Sequence, residues 1–333
     1  MVDLSYVENA AEEIAPLLKE GNLVILESTS PPGTIRDVVA PILEKSGLKA
    51  GVDFYLAHCP ERVLPGNTLR ELIQNNRVIG GINRESAERA KAFYKEFVEG
   101  DVSVTDATTA ELVKLIENTY RDVNIALANE IAAICEKLGI DAWEAIRLAN
   151  LHPRVNIHQP GPGVGGHCIS VDPWFIISAF KNEAKVMGLG RQLNDEQPRR
   201  VVQRLKGMLE GIKEPLVTIL GVTYKGNIDD TRESPALAVL KQLEKEKINF
   251  KIYDPHVQQF AYETKCLKEA FEGSDCALLL ADHDEFRFLY PKELASLMRT
   301  RQVYDTRNCL EKKLWEENGF KYCLLGAGNG GAI

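Results

Sequence analysis

The sequence of 333 residues has no long hydrophobic run, although 44% of its residues are apolar. A membrane-spanning helix needs about 20 consecutive, mostly apolar residues, so we expect no membrane partner. The opening stretch, MVDLSYVENAAEE, is acidic and lacks the basic and apolar regions of a secretory signal peptide. These two absences predict a cytoplasmic protein.

Paired cysteines and excess positive charge are also missing. The seven cysteines are scattered and form no C-x-x-C motif, which argues against a disulfide framework or a zinc ribbon. Lysine and arginine number 40 against 48 aspartates and glutamates, so the formal net charge is −8. An acidic chain disfavours binding to nucleic acid. We therefore expect neither a metal site nor a nucleic-acid partner.

Strand and helix patterns alternate in two parts of the chain, 1–104 and 216–306. Such alternation is typical of an α/β protein with mostly parallel sheets. Between these parts, apolar residues recur at helical spacing over 105–139 and predict one helix of about eight turns. Thr108 and Glu111 at its start resemble a capping box. The sequence thus predicts an α/β part, a helical spine and a second α/β part.

The segment GPGVGGHCISVDPWF, residues 161–175, has the glycine spacing of a dinucleotide loop and a cysteine, Cys168. A dinucleotide loop follows a strand and opens a helix, whereas this segment follows HPRVNIHQP and contains prolines. Its histidine, cysteine and aspartate spacing matches no familiar zinc site. Glycines that let a ligand approach beside a cysteine favour a nucleophile. A cysteine that merely packs in a turn is the alternative that this segment leaves open.

Seven segments, in order along the chain, resemble the UDP-glucose/GDP-mannose dehydrogenase family, and the resemblance covers essentially the whole chain. They are ESTSPPGT at 27–34, CPERVLPGN at 59–67, AELVKLIENTYRDVNIALANE at 110–130, HPRVNIHQPGPGVGGHCISVDPWFI at 152–176, GVTYKGNIDDTRESPA at 221–236, YDP at 253–255 and YDTRN at 304–308. The fourth segment is most similar to the branch of the family that acts on UDP-N-acetylhexosamines.

The resemblance implies two Rossmann-like α/β domains joined by the long central helix. Residues 1–104 would be the residual part of an NAD-binding domain. Residues 105–212 would form a central helical, dimerisation and catalytic-loop domain, and residues 213–333 a UDP-sugar-binding domain. The family's central helix also implies a homodimer formed through residues 105–139.

The N-terminal domain would be incomplete, because the family opens it with a strand, a G-x-G-x-x-G turn and a helix. By βαβ unit lengths, roughly 90 residues of the family pattern precede the point that matches Met1. Three explanations are open: a wrong start or shortened chain, a separate N-terminal half on another polypeptide, and a remnant that only binds nucleotide-sugar.

The resemblance implies an NAD-dependent four-electron oxidation of UDP-N-acetyl-D-mannosamine at C6 to UDP-N-acetyl-D-mannosaminuronate. The second oxidation needs a nucleophile, because an aldehyde has no hydride to give until a group adds to it. A cysteine adduct is a thiohemiacetal, and its oxidation yields a thioester that water hydrolyses. UDP-N-acetylglucosamine is the alternative substrate. A non-catalytic dimer that binds UDP-sugar is the alternative function.

The matching positions imply a catalytic role for five residues. Cys168 would be the nucleophile. Lys114 and Asn118, which share a helix face at a spacing of four residues, would stabilise the developing oxyanion and position the C6 oxygen. Asp172 and Glu61 would assist water in base or hydrolysis chemistry. Without the resemblance, each of these residues has an ordinary structural explanation, such as a solvated lysine on a helix.

Seven further residues match binding positions of the family. The basic ones suit a diphosphate, which an arginine can bind with two hydrogen bonds. The residues implied to bind the UDP-sugar are Arg154, His158, Gly165, Lys225 and Arg307. The residues implied to contact NAD are Thr29 and Arg232.

Overall fold

The computed structural model describes residues 3–63 and 68–328. Residues 64–67, which end the CPERVLPGN segment, lie outside the described residues. The described chain forms two compact units. The first contains residues 3–63, 68–119 and Asp172–Ala184, and the second contains Tyr120–Val171 and residues 185–328.

The first unit is built on a four-stranded sheet in the order β1-β2-β3-β4. The β1–β2 and β3–β4 pairs are parallel, whereas β2 and β3 are antiparallel and pair only at Ala57–Gly81 and His58–Gly80. The strands are Leu23–Leu26, Tyr55–His58, Arg77–Gly81 and Val102–Asp106. Its α-helices are α1 (Ser5–Ile14), α2 (Ala40–Leu43), α3 (Thr68–Gln74), α4 (Arg84–Lys95), the first part of α5 (Ala107–Leu138), and α7 (Pro173–Ala179), and a π-helical segment, Ile35–Val39, precedes α2.

The long predicted helix exists as α5, but its predicted capping box is wrong. Asp106 caps the helix instead, because its carboxylate accepts hydrogen bonds from the main-chain N–H and the hydroxyl of Thr109. The buried Glu111 carboxylate accepts the main-chain N–H groups of Gly33 and Ile35. It therefore fastens the turn after β1 to the first turn of α5.

The second unit is built on a five-stranded, all-parallel sheet in the order β6-β5-β7-β8-β9. The strands β5 to β9 are Leu216–Leu220, Asn249–Tyr253, Cys276–Leu279, Gln302–Asp305 and Lys321–Leu324. The inner strands β5 and β7 consist largely of buried aliphatic residues, as expected where helices cover both faces. The helices wholly within this unit are α6 (Ala142–Ala149), α8 (Lys185–Met208), α9 (Pro235–Lys245), α10 (Leu267–Phe271), α11 (Pro291–Ala295) and α12 (Lys312–Glu317).

The two sheets and the helix α5 confirm the predicted α/β class, with two Rossmann-like parts and a long helix between them in sequence. Ser234 shows why α9 begins where it does: its hydroxyl accepts the N–H of Ala236, and Pro235 occupies the first helical position. Among the described residues, no helix has the length and apolar character needed to cross a membrane.

Candidate active site

The glycine-rich segment lies in a long loop between α6 and α7 that contains neither helix nor strand. Its glycines are needed for close packing. A Cβ atom at Gly165 would lie 2.5 Å from the carbonyl oxygen of Glu233, and one at Gly166 would lie 2.9 Å from the ring of Tyr224. Gly166 also has a φ of +89°, which a residue with a side chain rarely adopts. The segment is therefore a packed loop rather than a dinucleotide-binding turn.

The surfaces that contact this loop follow the carboxyl ends of two parallel strands. Tyr224 lies on the loop after β5, and Arg307 lies just after β8. A Cβ atom at Gly161 would lie 2.8 Å from Nη1 of Arg307. Ligands of α/β sheets bind at this edge, so the fold places the predicted substrate loop at the edge where a nucleotide is expected.

Cys168 is exposed, and its carbonyl oxygen accepts the N–H of Val171 in the turn before α7. Its thiol interacts electrostatically with Tyr224 and Arg232. Cys59, Cys135, Cys276 and Cys309 are buried instead, and burial raises the pKa of the Cys309 thiol to about 12. A ligand can therefore reach the thiol of Cys168, whereas the four buried thiols are shielded by the surrounding protein.

Three predicted basic residues lie on the same loops. Arg307 donates to Asp282 at 3.0 Å, and Arg232 forms an ion pair with Asp230 at 2.7 Å. Lys225 is exposed. The structure thus brings two loops that carry arginines beside the loop that carries Cys168, and a diphosphate that bound Arg232 or Arg307 would compete with the paired aspartates.

His158 and Arg154 precede the glycines on the same long loop. The main-chain N–H of His158 donates to Asn124 at 2.8 Å, and its ring meets the Tyr120 ring edge to face. Burial, and secondarily the charge of Arg121, lower the pKa of His158, so its imidazole is neutral at pH 7. Arg154 is exposed, and its guanidinium and main-chain N–H contact the ring of His152.

Within the first unit, Asn118 and Asp172 lie together. The Asn118 amide donates to an Asp172 carboxylate oxygen at 2.5 Å, and both side chains are buried. Lys114 is half-buried one helical turn before Asn118. The structure thus brings Asn118 and Asp172 into contact and places Lys114 one turn earlier on the same helix.

Glu61 is held by its own loop, since its carboxylate accepts the N–H groups of Arg62 and Val63 at 2.7 and 2.6 Å. Arg62 forms an ion pair with Glu117, the residue before Asn118. This ion pair fastens the Glu61 loop to α5. The sequence analysis missed Arg62 and Glu117, because nothing in their spacing pairs two charges that are 55 residues apart.

Thr29 lies half-buried in the turn after β1. Its neighbour Ser30 is fully buried, and the Ser30 hydroxyl has no hydrogen-bond partner within the described part of the chain. A buried hydroxyl without a partner at the carboxyl end of a parallel strand is suited to receive a polar ligand. The Ser30 hydroxyl is therefore a candidate partner for a polar group of a ligand, whereas the nearby N–H groups of Gly33 and Ile35 are already bound by Glu111.

A separate histidine cluster lies near the second sheet, where atoms of His256, His283 and Glu285 approach within 4.8 Å of one another. His283 accepts the N–H of Asn227 at its Nδ1 and bonds to Asp254 through its Nε2. Both ring nitrogens of His283 are thus engaged, and neither has a lone pair for a metal. We assign the cluster a structural role.

Three domain families match the chain along almost its entire length. Residues 1–98 match the NAD binding domain, residues 108–196 the central domain and residues 218–312 the UDP binding domain of one family. The chain belongs to the UDP-glucose/GDP-mannose dehydrogenase family. The family resemblance inferred from the sequence motifs is therefore confirmed.

Similar proteins within this dehydrogenase family carry related names. UDP-N-acetyl-D-mannosamine dehydrogenase of Methanocaldococcus jannaschii is 52% identical over 331 residues, which cover 98% of this chain and 75% of that protein. NDP-N-acetyl-D-galactosaminuronic acid dehydrogenase of Ralstonia solanacearum is 44% identical over 324 residues, with coverages of 93% and 76%. A solved structure of UDP-D-ManNAc dehydrogenase from Pyrococcus horikoshii has a TM-score of 0.92 and 42% identity, covering 98% of this chain and 78% of that one.

Proposed function

We propose that the protein catalyses the NAD-dependent, four-electron oxidation of UDP-N-acetyl-D-mannosamine at C6 to UDP-N-acetyl-D-mannosaminuronate. The observation that carries this proposal is the exposed Cys168 on a glycine-rich loop packed against the basic loops of the UDP binding domain. The names of the relatives from M. jannaschii and P. horikoshii support the choice of sugar.

Lys114 and Asn118 act on the C6 oxygen in this mechanism. When the alcohol is oxidised, the Lys114 ammonium stabilises negative charge on that oxygen and the Asn118 amide orients it. The hydrogen bond from Asn118 to Asp172 fixes the rotamer of the asparagine. Thr29 and Arg232 would contact NAD, which would accept one hydride in each oxidation, so that two NAD molecules would be consumed in succession per substrate.

Cys168 acts on the aldehyde. Its sulfur adds to C6 and gives a thiohemiacetal, the form from which a second hydride can leave, and the product is a thioester on the protein. Water then cleaves the thioester and frees the thiol, with Asp172 and Glu61 accepting and orienting the protons of that water. The UDP moiety is held by Lys225 and Arg307, while Arg154, His158 and Gly165 contact the sugar side of the substrate.

A homodimer through α5 completes the proposal. Within the second unit this helix exposes Tyr120, Leu127 and Ile134 at a spacing of seven residues, and Leu138 at its end is also exposed. A stripe of this kind along one helix is typical of a helix that packs against another. We also place the protein in the cytoplasm, since no disulfide joins its cysteines in the described residues.

The test is NADH formation by the full chain with UDP-N-acetylmannosamine, UDP-N-acetylglucosamine and UDP-N-acetylgalactosamine. We expect two NADH per UDP-N-acetylmannosamine oxidised. Cys168→Ala should abolish formation of the acid, whereas Cys266→Ala, which removes the other exposed thiol, should leave the rate unchanged. Absence of NADH with every sugar, or equal activity of the two variants, would contradict the proposal.

A further inference from the structure

The loop between α6 and α7 must place Cys168 and His158 without the support of a sheet. Residues 150–172 contain no helix or strand in the described chain. Main-chain N–H and C=O groups that leave water need other partners. The partners that this loop uses between residues 156 and 161 are side-chain amides of asparagine.

Three asparagines, which we call the asparagine clamp, hold this part of the loop. Asn124 on α5 accepts the N–H of His158 at 2.8 Å and donates to the carbonyl of Asn156 at 2.8 Å. Asn150 accepts the N–H of Ile157 at 2.8 Å and donates to its carbonyl at 2.9 Å. The third member is Asn129 on α5, which accepts the N–H of Gly161 at 2.9 Å.

The chemistry of the clamp explains why all three members are asparagines. A primary amide carries a donor and an acceptor on one short, planar group, as a peptide unit does. Asn124 and Asn150 use both halves, so they give the loop the pair of hydrogen bonds that a neighbouring strand would give. The Gly161 that Asn129 binds is the glycine whose missing side chain lets the loop contact Arg307.

Asn129 is itself rigidly held, because it is buried and bonded to α8. Its amide donates to Asn194 at 3.2 Å, and its oxygen also accepts from Gln197 at 3.3 Å. Asn194 in turn donates to the main-chain carbonyl and the carboxylate of Asp122 at 2.8 and 2.9 Å. The position of Gly161 is therefore set by two packed helices rather than by the loop itself.

We propose that Asn124, Asn129 and Asn150 are positioning residues that fix His158 and Gly161, and through Gly161 the nucleophile Cys168. The proposal rests on the proposed function in that Cys168 is the reacting group. Asn124 holds the part of the loop proposed to contact the sugar, so its loss should mainly raise KM. Asn129 holds the part that leads to the Cys168 thiol, so its loss should mainly lower kcat.

The test compares Asn124→Ala and Asn129→Ala with Asn318→Ala, a control that removes a similar amide-to-carbonyl bond at the end of α12. We expect kcat/KM to fall on the order of 10- to 100-fold in the clamp variants, through KM for Asn124→Ala and through kcat for Asn129→Ala. Asn124→Asp keeps the acceptor for the N–H of His158 and should restore most of the KM.

Hydrogen exchange and alkylation of Cys168 by iodoacetamide decide the proposal without turnover. Hydrogen exchange in peptides covering 155–162 should be faster in both alanine variants than in Asn318→Ala. UDP should slow alkylation of Cys168 in the unsubstituted chain and in Asn318→Ala, but not in the two clamp variants. If exchange, alkylation and kinetics all equal those of Asn318→Ala, or if only thermal stability changes, the clamp proposal is wrong. If the unsubstituted chain makes no NADH while exchange and alkylation respond as expected, the proposed function fails and the clamp stands.

Discussion

The amide of Asn118 donates a 2.5 Å hydrogen bond to the carboxylate of Asp172, which lies 54 residues further along the chain. The bond joins the middle of α5 to the residue that precedes α7. Because both groups are buried, the orientation of each depends on the other. The pair therefore ties a group proposed to bind the C6 oxygen to a group proposed to handle the attacking water.

Replacing Asn118 by aspartate should turn this bond into a repulsion between two buried carboxylates. We expect Asn118→Asp to lower the free energy of unfolding at pH 7 by about 1–3 kcal/mol. The loss should shrink at pH 5, since one of two adjacent carboxyl groups then takes up a proton. Urea unfolding at both pH values measures this. Asn118→Ala is the control: it removes the hydrogen bond without adding a charge, so its loss of stability should change less between the two pH values. An equal pH dependence in the two variants would contradict the prediction.

The buried His58 should make the fold less stable in acid. Burial lowers the pKa of His58 from 6.5 to about 4, so between these values the unfolded chain binds more protons than the folded one. The free energy of unfolding is then unaffected by His58 above pH 6.5, and it falls as the pH drops towards 4, by about 3 kcal/mol at most. His58→Gln should show a weaker decline in urea unfolding between pH 7 and 4.5. Parallel pH profiles for the two proteins would show that His58 makes no contribution.

Two glycine-to-alanine changes should have opposite effects on the free energy of unfolding. Gly166→Ala forces an alanine to a φ of +89° and against the ring of Tyr224, which should cost about 1–3 kcal/mol of folding free energy. Gly207 lies within α8 with nothing near its missing side chain, so Gly207→Ala should stabilise by about 0.5–1 kcal/mol. Thermal unfolding measures both. A neutral Gly166→Ala would mean that the loop can move away from Tyr224.

The exposed apolar residues of α5 should set the oligomeric state. We expect Leu127→Glu to convert the proposed homodimer to a monomer, because a charge buried in an apolar interface without a partner is strongly unfavourable. Phe288→Glu, at an exposed apolar residue away from α5, should leave the dimer intact. Light scattering coupled to size-exclusion chromatography measures both. A monomeric parent protein would contradict the dimer itself.

The sequence predicted the parts of this molecule that depend on local patterns. The helical spacing over 105–139 corresponds to α5 at Ala107–Leu138. The pair Ser234–Pro235, which begins α9, is a local helix-start signal of the same kind. Short helices such as α6 and α10 were missed, because they have too few turns to show a clear apolar period.

Contacts between distant residues could not be predicted in this way. The Asn118–Asp172 bond and the Arg62–Glu117 ion pair join residues from separate elements. The role of Glu111 was misassigned for the same reason: its spacing from Thr108 suits a capping box, but the nearest unpaired N–H groups belong to the turn after β1. The roles of the individual site residues stay predictions until the variants are measured.

Glu111 also has a consequence for how anions reach the first sheet. A strand followed by a glycine and a helix start normally offers free N–H groups to a phosphate. Here a carboxylate of the same chain already occupies the N–H groups of Gly33 and Ile35. Such a tethered group competes at a high effective concentration, so the N–H groups of Gly33 and Ile35 are closed to a free phosphate. A nucleotide whose phosphate bound these N–H groups would have to displace the Glu111 carboxylate. Its binding would therefore change the contacts of the first turn of α5.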